Sequence, residues 1–222
     1  MERSLKKIIK ETKLRDLKWK VKDCHLPGEF DLNIRTDPIE KIHYINIPQI
    51  KRSPIRDSDY LHELCHAYLA EKVHHMFATK RFRPGWTQEQ LDTLRPATYA
   101  VEWWVDYRMF QLAPEIFKKE VLEHYNAFFE SSLVNQNEIS ATDFIMAAFT
   151  IAQAIYYCGT ENPTEGRLAT AVDAYLSYDP ANPNLNDLTE LTNRLASIYT
   201  LYRVRLMPHE EFGECWEIIK IE

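Results

Sequence analysis

No Cys-x-x-Cys pair occurs among the four cysteines, Cys24, Cys65, Cys158 and Cys215, which are scattered along the 222 residues. Neither a disulfide framework nor a thiolate zinc site is signalled, and reduced thiols in a cytoplasm are expected. Nowhere do about 18 apolar residues run together, so no membrane span is expected. The lysine-rich stretch from Met1 to Lys20 also lacks an apolar run of secretory type. Glycine is scarce, at 5 residues, which favours helices over tight turns. Basic charge is in deficit as well: 27 Lys and Arg against 33 Asp and Glu leave a formal net charge of -6. That balance argues against a surface built to neutralise phosphates, and nucleic acid is not the expected partner.

What the chain does hold is a globular composition, 45% apolar and 27% charged. Its length suits one large domain or two modest ones. Leu5, Ile8, Ile9 and Leu14 recur at helical spacing among lysines, so residues 3–14 predict an amphipathic helix. Three strand-like pieces follow. Trp19 and Val21 alternate with Lys18, Lys20 and Lys22; Phe30, Leu32 and Ile34 alternate with Asp31 and Asn33; Ile42 to Ile47 is β-branched and aromatic. With a turn at Leu26-Pro27-Gly28, they predict a small antiparallel meander whose lysine-studded strand lies at an edge.

Asp57, Ser58 and Asp59 suit a helix N-cap ahead of an apolar-periodic stretch from Tyr60 to Phe77. Thr87-x-x-Gln90 reads as a capping box, and a helix from about Ala97 to Leu112 stops before Pro114. Segments near 115–134, 141–158, 165–178 and 187–206 read as helices, with no strand among them. Phe144, Ala147, Ala148, Ile151 and Ile155 recur at three and four residues, as helix–helix packing requires. The expected fold is α+β. Residues 1–117 are expected to form a zincin-like catalytic region with a small antiparallel sheet and an active-site helix, and residues 118–222 a mainly helical region, either separate or part of the same domain.

The string His62-Glu63-Leu64-Cys65-His66 carries the chemistry. Residues i and i+4 share a helical face, so His62 and His66 can offer imidazole nitrogens to one metal ion while Glu63 stands at the rim. This is the zincin arrangement. Zinc polarises a carbonyl and lowers the pKa of its water to about 7, while the glutamate moves the water's proton to the leaving amine. Cys65 points away from that face and is expected in the core.

Catalytic zinc commonly has three protein ligands and an open position, so a further donor is needed. Glu102, in the string Glu102-Trp103-Trp104-Val105-Asp106, is the choice, because a carboxylate within an aromatic helical segment is costly unless partnered. Asp106 shares its helical face and would accept the other ring N–H of a liganding histidine. The metzincin pattern fails, since Leu69 and Lys72 stand where Gly and His are required. His74 and His75 fall at the end of the first helix and are expected to be exposed near its C-terminus.

These residues resemble the ImmA/IrrE-type metallopeptidases of the gluzincin branch. The resemblance covers the strand Ile42 to Ile47, the helix Tyr60 to Tyr68 and a second helix from Glu102 to Phe117, where Glu102, Asp106, Phe110 and Leu112-Ala113-Pro114 look similar to the family's pattern. It implies zinc held by His62, His66 and Glu102, Glu63 as catalytic base, and an intracellular protein or peptide substrate. Trp103, Trp104 and Val105 are bulkier than the family pattern there, and residues 118–222 carry no resemblance. The string His-Glu-Leu-Cys-His-Ala-Tyr-Leu is also similar to the active helix of SprT-like proteases, which use three histidines and act on DNA-bound proteins. That resemblance would make His74 or His75 the third ligand.

Amide hydrolysis also needs a donor for the developing oxyanion, and Tyr99, one turn before Glu102, is the candidate. The leading expectation is a cytoplasmic zinc peptidase. The alternatives are a non-catalytic zinc-holding interaction module and a small-molecule metallohydrolase with the same site plan.

Overall fold

Ile42–Asn46 becomes the centre of a three-stranded sheet in a computed structural model that describes residues 4–25, 32–49, 54–130 and 139–222. The strands β1 (Lys20–Cys24), β2 (Asn33–Asp37) and β3 (Ile42–Asn46) lie in the order β1-β3-β2. β2 and β3 form an antiparallel hairpin with Asn33 opposite Asn46. Its turn is built by the Asp37 carboxylate, which accepts the N–H groups of Ile39 and Glu40, and by Lys41 in the left-handed region at φ 55°. β1 runs parallel to β3, with Lys20 opposite Ile42.

The expected antiparallel meander is therefore corrected to a mixed sheet. The hairpin fills one side of β3, and β1 takes the other as an edge strand, where its lysines reach water as expected. The turn at Leu26-Pro27-Gly28 and the residues Phe30 and Asp31 lie outside the described residues.

The first helix α1 (Leu5–Glu11) continues into a π turn over Thr12–Asp16. The site-bearing helix α2 spans Asp57–Lys72. Its N-cap position is Arg56 rather than Asp57, Ser58 or Asp59, because the Asp59 carboxylate reaches back to accept the Arg56 backbone N–H at 2.9 Å. The stretch expected to run helically to Phe77 breaks after α2, where the N–H groups of Val73 and His74 both turn to the Leu69 carbonyl, and resumes as a 3₁₀ turn at His75–Phe77.

A buried polar cluster ties α2 to the sheet. His43 on β3 is fully buried, with Nδ1 at 2.8 Å from the Thr36 hydroxyl and Nε2 at 3.1 Å from the Glu71 carboxylate on α2. The same carboxylate accepts the backbone N–H groups of Lys18 and Trp19, and the Trp19 ring stacks on His43 at 5.3 Å. Burial lowers the His43 pKa against the opposing pull of Glu71. The ring is therefore neutral, with Nε2–H donating to Glu71 and Nδ1 accepting from Thr36. Glu71→Ala removes the acceptor that these donors share and is expected to lower stability by about 3 kcal/mol. Urea unfolding checks this, and a loss under about 0.5 kcal/mol, the range of ordinary surface substitutions, would contradict it.

The described chain divides by proximity into two compact units, residues 1–81 with 207–215 and residues 82–206 with 216–222. The second is mainly helical. It holds α3 (Gln88–Leu94), α4 (Glu102–Leu112), α5 (Pro114–Glu130), α6 (Ala141–Gln153), α7 (Gly166–Leu176) and α8 (Leu185–Ala196). Thr87 caps α3 through the expected box with Gln90. Trp103, Trp104, Ile145, Ile151 and Tyr175 form the buried centre, which explains the bulky residues beside Glu102. The Trp103 indole N–H donates to the Tyr178 carbonyl at 3.0 Å, so its one polar atom is satisfied inside the core.

Two expectations change here. The helix foreseen from Ala97 to Leu112 opens as a 3₁₀ turn over Arg95–Val101, because Pro96 supplies no N–H and the Ala97 N–H goes to the Tyr199 hydroxyl at 2.9 Å. Glu102 is thus the first residue of α4, not a mid-helix residue. The helix foreseen at 187–206 stops at Ala196, and Tyr202–His209 forms a strand, β4, hairpinned with β5 (Gly213–Lys220). Tyr202, Val204 and Leu206 alternate with Arg203 and Arg205, a period of two that a helix cannot use.

Candidate metal centre

α2 places His62 and His66 one turn apart, with ring centroids 4.9 Å from each other and ring planes at 77°. One nitrogen from each ring and one carboxylate oxygen of Glu102 all lie within 4.8 Å of one another. These three donors could hold a metal ion, and among the described residues no other His, Cys, Asp or Glu joins them. Glu102 owes its place to the 3₁₀ turn that precedes it.

The chemistry of this donor set fits a divalent ion that accepts nitrogen and oxygen, zinc among them. His66 is buried, and its Nδ1 meets the Phe77 carbonyl at 2.6 Å. A carbonyl can only accept, so Nδ1 must carry the hydrogen. In that tautomer Nε2 is the ring nitrogen that can ligate a metal. The acceptor role foreseen for Asp106 is at His66 performed by the main chain of the turn that follows α2. Asp106 is buried on α4 and accepts from the Gln153 amide at 2.5 Å.

Glu63 follows His62 on α2 and is nearly buried, at 8% exposure. It is not one of the three clustered donors. Tyr99 is half-buried in the 3₁₀ turn, three residues before Glu102. Cys65 is fully buried, as expected.

His74 and His75 are not exposed. His75 retains 5% exposure, and its Nε2–H donates to the Phe212 carbonyl at 3.1 Å. His74 lies 3.9 Å from the Glu214 carboxylate. Burial, with the neighbouring charge of His74, pushes the His75 pKa down to about 4. Folded His75 is therefore neutral at pH 7, whereas in the unfolded chain it titrates near its ordinary value of 6.5. As pH falls from 6.5 towards 4, the unfolded chain binds a proton that the native protein refuses, and stability is lost across that window. His43, also depressed by burial, acts in the same direction. Urea midpoints should be level from pH 7 to 8 and decline between pH 6.5 and 4, less steeply in His75→Phe. A wild-type profile flat down to pH 4 would contradict the burial of these rings.

Two participants carried little or no sequence signal. The Phe77 carbonyl is a main-chain atom, invisible to residue type. Gln153 could have been noticed as a polar residue on the otherwise apolar, alanine-rich α6.

Comparison with family models, curated proteins and solved structures finds no match for this chain. Among the described residues, no helix is long and apolar enough to cross a membrane.

Proposed function

We propose that the protein is a zinc-dependent peptidase of the cytoplasm, acting on protein or peptide substrates. One observation carries the reading: two imidazoles from α2 and one carboxylate from α4 converge within 4.8 Å, the donor set of a catalytic His₂Glu zinc site. Zinc held there would supply Lewis acidity toward a substrate carbonyl and lower the pKa of water to about 7. His62, His66 and Glu102 are the holding residues. Glu63 receives the proton of the attacking water and delivers it to the leaving amine nitrogen. The Tyr99 hydroxyl donates to the carbonyl oxygen as charge develops on it. Neither His74 nor His75 is among the three clustered donors, which favours the gluzincin plan over the three-histidine one.

The test uses an unfolded protein as substrate and mass spectrometry to find new termini. Cleavage is expected with zinc, should stop when a chelator strips the protein, and should return when zinc is restored. Bound zinc with no cleavage of any peptide would overturn the peptidase reading in favour of a non-catalytic zinc-holding module.

A further inference from the structure

The His66 tautomer is set by a carbonyl on a short turn, and a short turn needs its own anchor. The 3₁₀ turn at His75–Phe77 is closed by Phe77 N–H to the His74 carbonyl and Ala78 N–H to the His75 carbonyl, each at 3.0 Å. His74 Nδ1 caps it by accepting the Met76 N–H at 3.4 Å, and its long-range side-chain anchor is the bond from His75 Nε2–H to the Phe212 carbonyl, across 137 residues of sequence. Phe212 is itself clamped at the tip of the β4–β5 hairpin. The Arg81 guanidinium lies 3.7 Å from its ring centroid, the His209 ring stacks on it at 4.8 Å, and His209 Nδ1 accepts its backbone N–H at 3.3 Å. All of these residues belong to one compact unit.

We infer that His75 is a positioning residue for the metal centre: the hairpin tip grips it, it fixes the turn, and the turn's Phe77 carbonyl holds His66 with Nδ1 protonated and Nε2 directed to the metal. The inference rests on the metal-centre reading above and adds a regulatory consequence. Whatever moves the hairpin tip moves His66 through three identified groups: Phe212, His75 and Phe77. The buried Nδ1 of His75 has no hydrogen-bond partner among the described residues, so the ring contributes a single directed bond here.

Two variants separate geometry from bulk. His75→Phe keeps a ring beside Phe212 and removes the donor. His75→Gln restores an amide N–H near the position of Nε2. Zinc affinity is read by competition with a chromogenic chelator, and the His66 tautomer by nitrogen-15 NMR of the metal-free protein. His75→Phe is expected to bind zinc about 10-fold more weakly, the scale for groups that orient a ligand, and to lose the pure Nδ1–H signature of His66. His75→Gln should recover both. His209→Ala, which loosens Phe212 without entering the buried turn, should move both readouts in the same direction by less and serves if His75→Phe does not fold. Unchanged affinity and tautomer in His75→Phe, or in His209→Ala if only that variant folds, overturn the inference. A wild-type protein that takes up no zinc sinks the metal-centre reading instead, while the tautomer still reports on the brace.

Discussion

Glu63→Gln is expected to retain its zinc and lose peptide hydrolysis by about 10²- to 10⁴-fold, the usual contribution of a positioned general acid–base. Glutamine has nearly the volume of glutamate, so the packing around this nearly buried side chain survives. Its amide, however, cannot take a proton from water. Glu63 also stands outside the three-donor group, because neighbouring residues on a helix point about 100° apart, so metal content should not change. Metal analysis and a cleavage assay on one preparation check both halves. A variant that keeps full activity would remove Glu63 from the mechanism, and one that loses zinc would make it a ligand.

Glu102→Ala is expected to weaken zinc binding by about 100-fold. Structural zinc sites with four ligands bind with roughly 10–16 kcal/mol, so each donor accounts for about 3 kcal/mol, somewhat over two decades in affinity. Glu102→Asp, which keeps the charge and withdraws it by one methylene, should fall between wild type and Glu102→Ala. Cys65→Ala should bind like wild type, since the buried Cys65 is not among the clustered donors. Chelator competition measures all three. Undiminished affinity in Glu102→Ala would leave the imidazole pair without its carboxylate.

The parts of this site legible in the sequence are those fixed by local geometry. His62 and His66 could be paired because four residues on a helix are one turn, whatever the rest of the chain does. Glu102 stood out because a carboxylate inside an aromatic run needs a partner. Its location at a helix start was hidden, since it depends on the Tyr199 hydroxyl capturing the Ala97 N–H. Strand positions 20–24 and 42–46 followed from alternation and β-branching, but the parallel pairing of β1 with β3 depends on the path of the intervening chain, which no local pattern records. The β4–β5 hairpin was legible in principle, through the alternation of Tyr202, Val204 and Leu206 with arginines, and was obscured by the helical run before it. The burial of His75 was not legible, because the group that engages it is 137 residues away.

Whether His62, His66 and Glu102 hold one zinc ion is read directly by zinc-edge X-ray absorption on the zinc-loaded protein. One zinc per chain is expected, with two imidazole nitrogens at about 2.0 Å, oxygen donors at about 2.0–2.2 Å and no sulfur, and with the oxygen contribution reduced in Glu102→Ala. Sulfur scattering at about 2.3 Å, a third imidazole, or a protein that takes up no zinc would contradict it.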